Sequence, residues 1–394
     1  MLARRGLSAL TIAAALTLAG CGGGSGDTST AAADTQKAPV KIGLVLPATG
    51  PLTPNGQGNK DGFEFYWDQH AHAAGGHPVQ IVNADDEGKP DVAVAKVQEL
   101  LEKDKVDLLA GFVSSASALA ARDLAVRTQT PMVVTQAATS KLTSGDSSGL
   151  VSRVIATFEE TMSAVTRTAV VDDGVKKIVF MGSDYVAGKD AETAVKATAQ
   201  SNGATVTKSV FAPLGTQDFA PFLANVTADT DAVVAFFGGT DAVRFVQQYS
   251  EFGLKGKTPL YGHWSLTVDP LLVQQGKAAE GLVTVQEYSA TIENAASTSF
   301  IEAWKAKNGG AVPNAWNEQG YVAAMAIAAG LESSGGAVKG AALAKAIRGA
   351  QIDAPRGKVT FDDKGQIVQP LYIARVKVQG SGFVNALDPS KSVK

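Results

Sequence analysis

The chain has 394 residues, 45% of them hydrophobic and 19% charged, which is enough for two conventional cores and excludes a single small domain. Its net charge of −3, taken to −5 if a leader carrying Arg4 and Arg5 is removed, leaves no basic stripe to neutralise phosphates and argues against nucleic acid as a partner. With a single cysteine, no disulfide can close within the chain.

In chain order, Arg4 and Arg5 precede the apolar run Leu10 to Ala19, which is too short for a permanent membrane span and predicts a signal peptide over residues 1–20. Leu18-Ala19-Gly20-Cys21 resembles the bacterial lipobox, in which the cysteine is lipidated and becomes the mature N-terminus. The alternative is a chance cysteine after a signal peptide. Gly22 to Ala38 is rich in Gly, Ser, Thr and Ala without apolar periodicity, as in a flexible tether, here assigned to residues 21–39. The expectation is an extracytoplasmic protein held to a bacterial membrane by lipid on Cys21.

From Val40 onward, short apolar runs alternate with amphipathic segments, the rhythm of βαβ units around a parallel sheet. Strands are predicted at Val40 to Leu46, Val79 to Asn83, Val106 to Gly111 and Pro131 to Thr135, separated by helices at Gly58 to His70, Pro90 to Lys103 and Ser115 to Thr128. After a loop from Thr139 to Gly149 the rhythm restarts, with helices at Glu159 to Asp172, Lys189 to Asn202 and Asp241 to Phe252. Strands accompany them at Lys177 to Gly182, Ala204 to Phe211, Ala232 to Phe237, and near Leu260 and Leu282. Helices at Thr298 to Lys307, Trp316 to Leu331 and Val338 to Gly349 follow, then paired strands around Val359 to Phe361 and Pro370 to Val378.

The last helices need a sheet to cover, and assigning them to the first lobe makes the chain cross between lobes near Ile155, Tyr288 and Gln366. The fold class is then α/β, with two doubly wound parallel-sheet lobes joined by a three-strand hinge. One lobe takes residues 40–156 and 290–366, the other residues 157–289 and 367–384. Ligands of open parallel sheets sit beyond the carboxyl ends of the strands. The loops there are Val113 to Ser117 and Gln136 to Ser140 in one lobe, and Ser183 to Gly188, Gly238 to Asp241 and His263 to Leu266 in the other.

Several patterns suggest other chemistry. Gly145-Asp146-Ser147-Ser148-Gly149 matches a nucleophile-elbow pattern, but that pattern needs a strand before it and a helix after it, and here it sits in a polar loop. His70, His72 and His77 lie close in sequence without a carboxylate or cysteine at a familiar metal spacing, so they read as solvated residues and no metal is expected. Asp85-Asp86-Glu87 could meet a cation, although a solvated turn before the helix at Pro90 is the plainer assignment. Asn55-Gly56-Gln57-Gly58 fits neither a phosphate loop nor a dinucleotide fingerprint and looks like a loop over a cleft; no cofactor is expected. Ser114-Ser115-Ala116-Ser117 follows a strand and opens a helix, so it is an anion site or a helix cap.

Ile42-Gly43-Leu44-Val45-Leu46-Pro47 with Thr49-Gly50-Pro51, the turn Asp85-Asp86-Glu87, and Gly111 with its serine cluster together resemble the leucine/isoleucine/valine-binding receptors of ABC importers. Ala137-Ala138-Thr139 with Leu142-Thr143, Asp218-Phe219-Ala220-Pro221-Phe222 and Gly320-Tyr321 extend the resemblance from about Val40 to Val378. The resemblance implies the type I periplasmic binding fold. It also implies a ligand carboxylate held by Ser115, Ala137 and Thr139, with Asn55, Tyr185, Thr240 and Trp316 around the ligand. The acidic residue that receives an α-ammonium in that family falls at Trp264, which turns the expectation from branched-chain amino acids toward aromatic or apolar carboxylates; receptors for aromatic acids are similar over Gly111 to Thr143.

The expected function is non-enzymatic: a monomer captures a small organic acid in its cleft and presents it to ABC permease subunits. A sensory receptor of the same fold and a serine hydrolase using Ser147 are the alternatives.

Overall fold

The computed structural model describes residues 37–144 and 149–393; the leader, Cys21 and Ser147 lie outside them. The first strand, β1 (Val40–Leu46), is buried everywhere except Lys41, because a parallel sheet covered by helices hides both faces of its strands. Ile42 and Leu44 enter one core while Val45 enters another, and Leu108 and Ala110 alternate with Leu109 in the same way.

That sheet runs in the order β2 (Ala73–Ala74), β3 (His77–Asp85), β1, β4 (Leu108–Gly111), β5 (Met132–Val134), β6 (Val151–Arg153), parallel except for the β2–β3 hairpin. Helices α1 (Thr53–Gln69), α2 (Pro90–Glu99) and α3 (Ser115–Arg127) connect its strands.

The second sheet holds β7 (Lys177–Ser183), β8 (Thr205–Ala212), β9 (Ala232–Phe236), β10 (Leu260–Gly262) and β11 (Val283–Gln286) in parallel, in the order β11-β10-β9-β7-β8. Its helices are α4 (Phe158–Arg167), α5 (Val186–Ser201), α6 (Ala220–Leu223), α7 (Gly239–Glu251) and α8 (Asp269–Gln275). Then α9 (Ala295–Lys307), α10 (Ala315–Ser333) and α11 (Gly340–Arg348) return toward the first sheet: Val322, Ile327, Leu343 and Ile347 share a core with Val40 and Ile42. Crossovers between the sheets run through residues 154–157, 287–294 and 369–370. Among the described residues, no helix is long and apolar enough to cross a membrane.

Three predicted details change. The strands around Val359 and Pro370 do not pair with each other. A small antiparallel sheet takes β12 (Ile352–Ala354), β13 (Gly357–Phe361) and β14 (Ile367–Val368), while β15 (Leu371–Gln379) extends the second sheet antiparallel to β11 and β16 (Gly382–Val393) adds antiparallel to β15. The third crossover lies between them and separates the two pairings. Strand β6 is also added, from an apolar run too short to be distinctive.

The third change is at α1, which starts at Thr53 with Pro54 in its first turn, so Asn55 to Gly58 are helical and not a loop. Glycine lowers helix propensity, which misleads a reading by composition. These glycines serve close approach: a Cβ at Gly56 would stand 2.1 Å from Pro47 O, one at Gly58 2.7 Å from Trp316 Cβ, and one at Gly62 1.7 Å from Asn317 O. They let α1 lie directly against α10 and the loop after β1.

Candidate ligand-binding site

The loop from β4 to α3 starts in strained backbone. Gly111 has φ 107° and room for no side chain, since its Cβ would lie 2.3 Å from Val45 O. Phe112 follows in the left-handed region at φ 68°, costly for a bulky residue and held by its neighbours. Its N–H donates to Val45 O at 2.7 Å, and its carbonyl accepts from Gln136 N at 3.3 Å and Ala137 N at 3.0 Å. One residue thereby sets two loops at the carboxyl edge of the sheet.

Those loops form one wall of a cavity of about 50 Å³. Leu52, Asn55, Val113, Ser115 and Gln136 face it from the first lobe. Ser114 is the helix cap, its Oγ accepting from Ser117 N at 3.4 Å. Ser115 Oγ, in a residue 1% exposed, has no hydrogen-bond partner among the described residues. Asn55 Nδ2 donates to Gln136 Oε1 at 2.8 Å and Gln136 Nε2 to Gln319 Oε1 at 2.8 Å, leaving Asn55 Oδ1 without a partner among the described residues.

The second lobe supplies an aromatic wall: Phe158, Tyr185, Phe236, His263 and Trp264, with Ala187, Gly238 and Ser265 between them. His263 is fully buried, and burial pushes its pKa down to about 3, so the ring is neutral near pH 7. Its Nδ1 lies 2.9 Å from Ser265 Oγ and 3.3 Å from the Ser265 backbone nitrogen, and its Nε2 is buried with no partner among the described residues. Ser265 Oγ donates to Phe237 O at 2.8 Å. Phe158, Phe236 and Trp264 surround the imidazole at 5.7, 5.2 and 4.8 Å between centroids. Trp264 Nε1 donates to Glu287 Oε1 at 2.9 Å.

Among the described residues, no charged side chain lines the cavity. Its electrostatics come from helix ends. Leu52, Ser115, Phe158, Tyr185 and Gly238 each cap or begin one of α1, α3, α4, α5 and α7, so five positive helix N-termini meet there. The lobes are closed over it: a Cβ at Gly239 would lie 3.4 Å from Pro51 O, Lys141 pairs with Asp190 at 3.6 Å, and Ser140 Oγ donates to Glu159 Oε1 at 2.8 Å.

Of the residues predicted for the site, Asn55, Ser115, Tyr185 and Trp264 line this cavity together. The other four stand outside its lining. Ala137 is buried with its N–H engaged by Phe112 O, so its neighbour Gln136 faces the cavity instead. Thr139 is buried too; its carbonyl accepts from Arg153 Nη1 and its Oγ1 has no partner among the described residues. Thr240 is exposed, its Oγ1 accepting from Arg244 Nη1 at 3.3 Å, and Gly238 takes its place. Trp316 packs against α1 at Gly58.

Gln136, His263 and Ser265 lie in loops that the strand ends mark, although their individual roles are not written in composition. Phe158 and Phe236 look like ordinary core residues, and only the turn of the chain at α4 and β9 aims them inward.

The rival patterns resolve into local structure. Asp85 accepts from Ala48 N, Thr49 Oγ1 and Glu87 N, each at 2.8 Å, tying the loop after β1 to the end of β3. Asp86 is fully buried, unlike a solvated turn residue, and accepts from Gly88 N at 3.0 Å. His70, His72 and His77 bond separately to Tyr66 O, Asp68 and Ala38 O. Among the described residues, no group of three or more His, Cys, Asp or Glu gathers as a metal site.

The sequence pattern of the periplasmic binding protein family matches residues 39–382. Leu/Ile/Val-binding protein homolog 6 of Brucella melitensis is 30% identical over 349 residues, which cover 87% of this chain and 89% of that protein. An ABC transporter substrate-binding protein from Sphaerobacter thermophilus superposes with a TM-score of 0.84 at 32% identity, over 90% of this chain and 98% of that one. A solute-binding protein of an ABC transporter from Rhodopseudomonas palustris BisB5, solved with 3,4-dihydroxybenzoic acid, superposes with a TM-score of 0.84 at 30% identity, over 89% and 96%.

Proposed function

We propose a specific role for this chain, which belongs to the periplasmic binding protein family: capture of an aromatic or otherwise apolar carboxylate between its lobes for delivery to a membrane permease. More coarsely, it is an ABC transporter substrate-binding protein of the leucine/isoleucine/valine-binding type, a family of binding proteins.

The observation that carries the ligand class is the uncharged lining. A carboxylate finds the Ser115 hydroxyl and five helix N-termini, and each charge-assisted hydrogen bond contributes about 1.5 to 3 kcal/mol. An α-ammonium finds no carboxylate among the described lining residues, and an unpaired buried charge is costly. The rings of Phe158, Phe236 and Trp264 suit a flat apolar body, where stacking adds about 0.5 to 1.5 kcal/mol beyond burial. The relative solved with 3,4-dihydroxybenzoic acid supports the same reading.

A branched-chain amino acid is the second reading. The name of the Brucella relative favours it, and the Trp264 ring offers a cation–π surface to an ammonium.

Calorimetry with benzoate and 3,4-dihydroxybenzoate beside leucine, isoleucine and valine separates the two. Micromolar binding of a benzoate with no heat from the amino acids is the expected outcome; the reverse pattern replaces the ligand class. Lipid on Cys21 would hold the protein at the membrane, and Cys21→Ala should release it into the soluble extracytoplasmic fraction.

A further inference from the structure

A single carboxylate touches all three crossovers between the lobes. Glu287 belongs to the second, and its Oε2 accepts from Ala156 N of the first at 3.0 Å and from Gln369 Nε2 of the third. Arg356 Nη1 reaches the same oxygen at 3.3 Å, and also donates to Val154 O at 3.0 Å and to Gln369 Oε1 at 2.7 Å. The remaining oxygen, Oε1, accepts the indole N–H of Trp264 at 2.9 Å, and that indole is part of the cavity wall.

All four partners of Glu287 are donors, so the position demands a group that only accepts. A carboxylate meets this and an amide does not, because the NH₂ of an amide would face at least one donor. The residue is 1% exposed, and the cluster continues through Arg356 to Glu318 on α10. Hydrogen bonds hold only over a narrow range of distance and angle. A rotation that moves the crossovers relative to one another stretches the bonds to Ala156 and Gln369 while the bond to Trp264 holds the carboxylate toward the cavity.

We propose that Glu287 is a positioning residue that couples the cavity to the hinge, so that pressure or contact on the Trp264 ring shifts the balance between open and closed lobes. The idea rests on the reading of the cavity as the ligand site and of the crossovers as a hinge. It goes beyond that reading by naming the side chain that links them.

The test uses the full chain with Cys21→Ala, and spin labels at Lys141→Cys and Asp190→Cys, which face each other across the closed lobes. Distances between the labels are measured without ligand and with 3,4-dihydroxybenzoate, in otherwise unaltered protein, Trp264→Phe, Glu287→Gln and the double variant. Trp264→Phe keeps a ring in the wall and removes the indole donor. Each single change is expected to shift the closed fraction without ligand by about two- to ten-fold, the worth of one hydrogen bond. The double variant should fall short of the product of the two shifts, because both changes break the same link.

Distance distributions that match the unaltered protein in all variants overturn the proposal, whatever happens to melting temperature, and leave Glu287 a purely structural ion. If Glu287→Gln does not fold, Trp264→Phe alone decides by the same measure. Failure of every protein to respond to the benzoate counts against the ligand assignment, while the measurements without ligand still decide the coupling.

Discussion

His263 Nδ1 lies 2.9 Å from Ser265 Oγ, a contact that fixes the orientation of the buried, neutral imidazole. The unfolded chain protonates this histidine near pH 6.5, whereas burial lowers the folded value to about 3. Between those values the unfolded state binds the extra proton. The contribution to stability is therefore complete above pH 6.5 and is lost on acidification, at about 1.4 kcal/mol per pH unit. Urea titrations of the natural chain and of His263→Gln, which does not titrate, should converge as the pH falls through this window. Parallel profiles would place the proton elsewhere.

Ser114 caps α3, leaving Ser115 without a structural hydrogen bond to lose. Ser115→Ala should change stability by less than about 0.5 kcal/mol yet weaken benzoate binding by about ten- to a hundred-fold. Ser114→Ala should behave in the opposite way, costing about 1 kcal/mol of stability through the lost cap. Thermal melts and calorimetry on both variants separate the roles, and unchanged affinity in Ser115→Ala would remove it from the site.

Helices α1 and α10 meet backbone to backbone at Gly62, where a Cβ would lie 1.7 Å from Asn317 O. The contact is to main chain and cannot be relieved by a rotamer change. Gly62→Ala should cost about 3 kcal/mol or more, at or above the upper end of ordinary overpacking, despite the better helix propensity of alanine. A denaturation midpoint equal to that of the natural chain would mean that the helices separate at little cost.

The alternation of strand and helix was legible because covered parallel strands are nearly continuous apolar runs, as β9 is and as β1 is apart from Lys41, and because each run is followed by an amphipathic helix. The five loops marked from strand ends each place at least one residue in the cavity: Val113, Gln136, Tyr185, Gly238 and His263. Individual side chains were harder. Thr240 and Gly238 sit two residues apart at the start of α7, and only the turn of the helix decides which one faces inward. Trp316 is as aromatic as Trp264, but its position over Gly58 depends on a helix contact between residues far apart in sequence. Glu287 gives no local signal, since its four donors come from four separate segments.

Arg356 is the cation between two buried carboxylates, Glu287 and Glu318, all three at most 1% exposed. Burial raises the pKa of both acids above the ordinary carboxylate value of 4.5, and the guanidinium opposes that rise. Arg356→Met removes the opposition at similar volume and should cost about 3 to 5 kcal/mol near neutral pH, where two uncompensated charges are buried. With folded pKa values pushed further above the unfolded ones, each acid supports the fold below pH 4.5 and ceases to do so as the pH rises through its folded value. The deficit relative to the natural chain should therefore be larger at about pH 8 than at about pH 5, where the acids can take up protons without leaving the core. Urea unfolding at the two values measures it. Glu318→Gln added to Arg356→Met should recover part of the loss at the higher pH, because one of the stranded charges is gone. A deficit independent of pH and untouched by that second change would mean that the cost of Arg356→Met is lost packing, and that the buried charges do not govern it.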